Sequence, residues 1–263
     1  NIKLTEDEFK NEKKVVLEER YSRVDNNPSA LLSEQINAAL YMNHPYRKPI
    51  IGWEHEIKNL NLDDVMKFYK KYYAPNNAII VICGDVNFDD VVKLAKKYFG
   101  SIKPSKIEKR AWTEEPTQHA PRKIILNSKN TAIPVFERHY LVPTYTKSKK
   151  ESLTLEVFSE IFGNSSTGML FDEFVKNKKL ATSASVYYHP DGFGHTSFAI
   201  NIIPKKNVSL EEIEIYLDEY LNKIKKKTFN KEELQNIKKR LVNATIFAQD
   251  SLYMGMRIFG SSL

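Results

Sequence analysis

One cysteine, Cys83, stands in 263 residues, which excludes an internal disulfide and any cysteine-rich zinc site. Long apolar runs are missing as well: no stretch approaches the roughly 18–20 residues that a membrane span needs. No signal peptide is seen, because Asn1-Ile2-Lys3-Leu4 leads straight into a charged segment; a targeting segment would lie upstream or have been removed. Glycine-rich phosphate loops, zinc-finger spacings and basic–aromatic RNA motifs are also absent. The 6 histidines, His44, His55, His119, His139, His189 and His195, form neither His-x-x-x-His nor His-x-x-Glu-His. No helical histidine pair can therefore serve a metal, and each histidine reads as structural or exposed.

What is present is the composition of a globular protein, 41% hydrophobic and 28% charged, at a length that suits two domains. The formal charge is +7 and the sequence pI about 9.1. Its lysines are interleaved with acids along residues 211–227 and 231–240, so the charge is not gathered into a nucleic-acid footprint. Nucleic acid is not an expected partner.

Local patterning predicts the elements. Thr5-Glu6-Asp7-Glu8 has the form of a capping box and opens a helix to about residue 26. Pro28 ends it and starts a second helix over 29–42. Asn61 caps a helix to residue 73, and Asn87 caps another that ends near Phe99-Gly100. The apolar, β-branched run 78–83 predicts a buried strand that takes Cys83 inside. Residues 101–121, poor in apolar spacing and holding Pro104, Pro116 and Pro121, read as a linker. Strands follow at 123–127 and 136–142, a helix at 149–162, a turn at 163–168 and a helix to residue 177. The alternating stretches 181–189 and 194–203 flank Pro190-Asp191-Gly192 as a hairpin. Helices at 210–226 and 231–250 complete the series, which is the pattern of an α/β (α+β) layered fold.

An internal repeat is visible when the last of these helices is laid on the first. Residues 5–26 align without gaps on 230–251 at an offset of 225: Glu8, Asn11, Lys13, Lys14 and Asp25 meet Glu233, Asn236, Lys238, Lys239 and Asp250. The copies differ where Glu12 meets Ile237 and Glu19 meets Ala244. Seven residues apart, Glu12 and Glu19 project within about 20° of each other. Val15 flanks them on one side, Phe9 and Val16 on the other, so they lie in a partly apolar sector expected to face the core. A carboxylate there needs a partner, and a metal ion is one. An i, i+4 pair of Glu19 with Arg23, and a solvated Glu12, is the other reading. Spacing alone leaves both open.

Glu12-Lys13-Lys14-Val15-Val16-Leu17-Glu18-Glu19 resembles the Glu-x-x-Val-x-x-x-Glu signature of the M16 zinc peptidases, the family of pitrilysin, insulin-degrading enzyme and mitochondrial processing peptidase. Asp25-Asn26-Asn27-Pro28, His44-Pro45-Tyr46, Pro49, Gly52, Phe68-Tyr69, Tyr73-Ala74-Pro75-Asn76-Asn77-Ala78, Gly84-Asp85-Val86 and Lys97-Tyr98-Phe99-Gly100 recur in that family in this order. The resemblance is looser beyond about residue 145.

The resemblance implies two related layered domains of the LuxS/M16 metallohydrolase-like, ferredoxin-like α-β roll type, both incomplete at the outer chain ends. Their expected bounds are 1–103 and 122–263, with 104–121 as linker. It also implies a zinc endopeptidase acting on extended peptides, Glu19 as the distal zinc ligand and Glu12 as a carboxylate supporting the metal. The family's His-x-x-Glu-His motif, with two further ligands and the general base, would lie roughly sixty residues before Asn1. The chain by itself is then expected to be inactive and without zinc. The family's arginine and substrate-binding tyrosine fall here on Val175 and Thr182, which cannot clamp a carbonyl. That departure points to a second M16 subunit supplying the pair. A non-catalytic structural subunit of the same fold is the alternative, and the bacterial periplasm is favoured as the compartment by resemblance only.

Overall fold

The computed structural model describes residues 2–108, 111, 113–131, 133–163 and 166–262. It is a mixed α/β protein, as expected. The chain forms two compact units, each discontinuous in sequence. The first comprises Asn1–Arg23, Ile50–Trp112 and Leu241–Leu263; the second comprises Val24–Pro49 and Thr113–Arg240. One change of unit, after Trp112, falls within the stretch 104–121.

In the first unit, α1 (Glu6–Arg20) begins on the predicted box: Thr5 Oγ1 accepts the Glu8 N–H, and the Glu8 carboxylate accepts the Thr5 N–H at 2.8 Å. These bonds satisfy otherwise orphaned helix-terminal donors. The chain loosens afterwards into a π turn, Tyr21–Asp25. A short helix, α3 (Glu54–Asn59), follows in this unit and was not predicted; Trp53 at its N-cap makes no side-chain bond, so no capping signal marked it. Next come α4 (Leu62–Tyr72), which has its own Asn61–Asp64 capping box, and α5 (Phe88–Phe99), capped by Asn87. A second unpredicted helix, α10 (Leu252–Ser262), lies near the chain end.

Two expected strands are absent. Residues 78–83 form no strand; Ile79, Ile80 and Ile82 are exposed, and so is Cys83, which was expected inside. Residues 123–127 form none either, and Ile125 is 71% exposed. Hydrophobicity gives a strand its reason to be buried, but a ladder partner gives it existence, and among the described residues neither stretch is paired. Positions 109, 110 and 112 of the linker, and 164 and 165 of the predicted 163–168 turn, fall outside the described residues.

The second unit holds α2 (Pro28–Leu40), with Pro at its first turn and Asn27 as its cap, and an antiparallel sheet in the order β1-β3-β2. The strands are β1 (Phe136–Pro143), β2 (Ala181–Tyr188) and β3 (His195–Pro204). β3 runs down the middle, setting Phe136 against Ile202 on one side and Val186 against Ile200 on the other. One sheet face packs on α6 (Lys149–Phe162), α8 (Leu210–Ile224) and the segment α7 (Met169–Phe171) with its π turn Asp172–Asn177. Phe162, Leu170, Phe174, Val186, Ile202 and Leu217 lie there with no exposure. This core is legible in the alternating burial of β3 and in the i, i+4 row Ile213, Leu217 of α8. The last predicted helix is α9 (Lys231–Ala248).

Candidate functional site

The inward direction of α1 is fixed by three contacts. Phe9 is buried, the Lys13 ammonium donates to the carbonyls of Lys58 and Leu60 at 3.1 Å each, and buried Arg20 donates from Nη1 to the Gly52 carbonyl at 2.8 Å. Gly52 has φ +88, a left-handed conformation that favours glycine. The Glu12–Glu19 row lies about 90° round the helix from that line. Glu12 is accordingly exposed, Val15 is 58% exposed, and Glu19 is half-exposed with its Oε1 at 2.8 Å from Arg23 Nη1. The expectation that this sector faces the core is corrected. Within the first unit the carboxylates are exposed or half-exposed, because Phe9 and the stems of Lys13 and Arg20, not Val15, take the inner positions.

A catalytic zinc requires about three protein ligands plus water. Among the described residues no group of three or more His, Cys, Asp or Glu side chains comes together. The described residues by themselves do not fit a zinc site.

Val175 sits in the π turn Asp172–Asn177, half-buried against the sheet–helix core of the second unit. Thr182 lies where the β2–β3 register shifts between Ala181 and Ser183; it is exposed, and its hydroxyl donates to the Ile203 carbonyl at 3.2 Å. A bulge of this kind re-aims a side chain, but neither residue offers a charge.

The second unit also contains a groove of about 380 Å³ that sequence reasoning did not identify. The first half of α9 forms one wall with Glu233, Asn236, Ile237 and Arg240, and the end of α6 forms another with Glu160 and Ile161. A signal for it existed in the repeat, since these α9 positions align with Glu8, Asn11, Glu12 and Val15. The two helices share their starts as well: Glu233 N–H donates to Asn230 Oδ1 at 2.8 Å and Asn230 N–H to the Glu233 carboxylate at 3.1 Å. That is the Thr5–Glu8 capping box, 225 residues on.

His44-Pro45-Tyr46 is likewise built into the second unit. His44 is buried, its Nδ1 accepts the Tyr46 N–H, and its ring lies 4.3 Å from that of Tyr46. The Tyr46 hydroxyl accepts the Phe193 N–H at the hairpin tip. Glu115 accepts the backbone N–H groups of Met42, Asn43 and His44 at 2.5, 2.9 and 2.8 Å. Burial pushes the His44 pKa down, opposed by the Glu115 charge and aided by His195. Burial raises the Glu115 carboxyl, but the three N–H donors outweigh it and hold the group below its ordinary value. This motif holds structure together and presents no open catalytic group.

The family model for the "Peptidase M16 inactive domain" matches residues 59–241. Zinc protease PqqE of Helicobacter pylori is 32% identical over 243 residues, covering 90% of this chain and 53% of that protein. The uncharacterised zinc protease YmxG of Bacillus subtilis is 24% identical over 249 residues, covering 94% of this chain and 58% of that protein. The chain thus spans about half the length of the curated relatives it matches. Among solved structures, a protease from Helicobacter pylori superposes with a TM-score of 0.85 at 29% identity, over 98% of this chain and 62% of that one. The periplasmic protease PqqL of Escherichia coli shares the fold, with a TM-score of 0.80 at 18% identity over 98% of this chain and 29% of that one. Among the described residues no helix is long and apolar enough to cross a membrane. On the extent of the family match and of the PqqE alignment, this chain belongs to the M16 peptidase family.

Proposed function

We propose that the chain is part of a zinc-dependent endopeptidase acting on extended peptides, and that it supplies the Glu12–Glu19 face of α1 to a metal site completed by residues outside this sequence. The observation that carries this reading is the α1–α9 correspondence. In the second unit, positions 233, 236, 237 and 240 line a groove; the offset of 225 puts Glu8, Asn11, Glu12 and Val15 on the same side of α1. The far wall of that groove ends α6. On the offset of 225, its counterpart in a first copy would fall roughly sixty residues ahead of Asn1, where the family carries His-x-x-Glu-His. Glu19 is the candidate zinc ligand and Glu12 the carboxylate that supports it. The metal would supply an activated water and a Lewis acid; this chain's part is to present one carboxylate to the metal and a second beside it.

The chain does not carry the family's arginine and tyrosine, so a second M16 subunit is the proposed source of that pair. The periplasm is the compartment we propose, on family resemblance alone. A second reading, a non-catalytic subunit of the same fold, is favoured by the match to an inactive-domain family and by Val175 and Thr182.

The test uses the product of the complete gene. A His-x-x-Glu-His motif encoded ahead of Asn1 is expected. Glu19→Ala should lower zinc content and peptide cleavage by roughly 10–100-fold or more, read by elemental analysis and a fluorogenic peptide. Full zinc occupancy and full cleavage in that variant would remove Glu19 from the site. The present chain, after mild chelation, should hold no stoichiometric zinc.

A further inference from the structure

The groove of the second unit is made of parts that the metal site does not use. Its lining is apolar in part: Ile161, Met169, Phe229 and Ile237 are all half-buried there. Two cations are among its lining residues. The Lys227 ammonium lies 5.5 Å from the centroid of the Phe229 ring, and Arg240 Nη1 donates to the Thr167 hydroxyl at 3.3 Å. Among the described residues neither cation is in an ion pair. Of the two lining carboxylates, Glu233 is committed to the α9 cap and Glu160 stands on the opposite, α6 wall. Apolar side chains and two cations lining one groove complement a ligand bearing an apolar side chain next to a carboxylate. The Glu12-to-Ile237 difference between the copies has the matching consequence: where the first copy places an acid, this one places a hydrophobe, so the groove favours apolar contact over metal ligation.

We propose that this groove is a binding site for an acidic peptide segment, in which an apolar side chain rests on Ile237, Met169 and Ile161 and an adjoining Asp or Glu carboxylate is held by Lys227 and Arg240. That the ligand is a peptide and not another amphipathic anion rests on the proposed peptidase role. A volume of about 380 Å³ holds a few side chains of an extended strand, which rises about 3.3 Å per residue. The site would add affinity for a peptide without taking part in the chemistry.

The experiment measures fluorescence anisotropy of a labelled peptide containing Leu-Asp-Leu-Glu, with its Asn/Gln counterpart as the neutral probe, against the full chain. The acidic peptide should bind at least about tenfold more tightly than the neutral one, since a charge-assisted bond contributes about 1.5–3 kcal/mol and tenfold is about 1.4 kcal/mol. Lys227→Glu with Arg240→Glu should abolish that preference, and Ile237→Asp should weaken both peptides. Lys206→Glu, an exposed charge change outside the groove, should leave binding as it was. Where the double charge reversal lowers the melting temperature, Lys227→Met with Arg240→Gln gives the same comparison. Equal binding of both peptides, binding unaffected by the groove substitutions, or full displacement by millimolar inorganic phosphate would each overturn the proposal. No hydrolysis is read, so a failure of the zinc assignment and a failure of this site are separately visible.

Discussion

Glu115 shows how one carboxylate can fix a turn. It lies within the proline-bearing linker, next to Pro116, and gathers three successive N–H groups, at Met42, Asn43 and His44. Glu115→Gln should cost about 2 kcal/mol by exchanging charge-assisted bonds for neutral ones, measured by urea unfolding at pH 7. The folded pKa lies below the unfolded one, so this stabilisation is present above the unfolded carboxyl's pKa and fades as pH falls through the folded value. The two proteins should therefore converge in stability in acid. Gly163 is constrained differently. A Cβ there would sit 3.0 Å from Val186 Cγ2 and 3.3 Å from Leu170 Cβ, both on fully buried side chains. Gly163→Ala should destabilise by about 1–3 kcal/mol through overpacking, seen as a lower urea midpoint at an unchanged slope.

At the scale of elements, local chemistry was legible and long-range pairing was not. Thr5, Asn61 and Asn87 announced their helices because a cap bonds within three residues of itself. Asn230→Ala should lower stability by about 1 kcal/mol, with loss of helicity in the far-ultraviolet circular dichroism. The hairpin was readable too, since β2 and β3 alternate around a Pro-Asp-Gly turn and pair with each other. Residues 78–83 and 123–127 carried the composition of strands, yet a ladder depends on what lies alongside, and composition does not report that. The same limit applies to the glutamates of α1. A helical wheel gave their separation correctly, but the contacts of Phe9, Lys13 and Arg20 decided which side turned inward. Seen from the sequence, a lysine stem and a buried arginine were poor candidates for that side.

For the whole molecule, the candidate site was visible as a resemblance and as a mismatch between two copies, and invisible as geometry. Glu12 and Glu19 stood out because Ile237 and Ala244 replace them. The groove did not stand out, because its walls come from α6 and α9, some seventy residues apart in the chain. Most of the buried apolar side chains belong to the second unit's sheet and helices, whereas α4 and α5 of the first unit bury no residue fully. The first unit's amphipathic helices have apolar faces without a covering layer among the described residues.

The second unit draws on both sides of the linker: Tyr46 reaches the Phe193 amide, Glu115 holds the 42–44 turn, and Arg122 meets the Ala39 carbonyl. A protease nick at 101–108 would consequently release nothing. The two fragments would migrate together until a denaturant parted them, and the cut would be silent to any measurement of size made under native conditions.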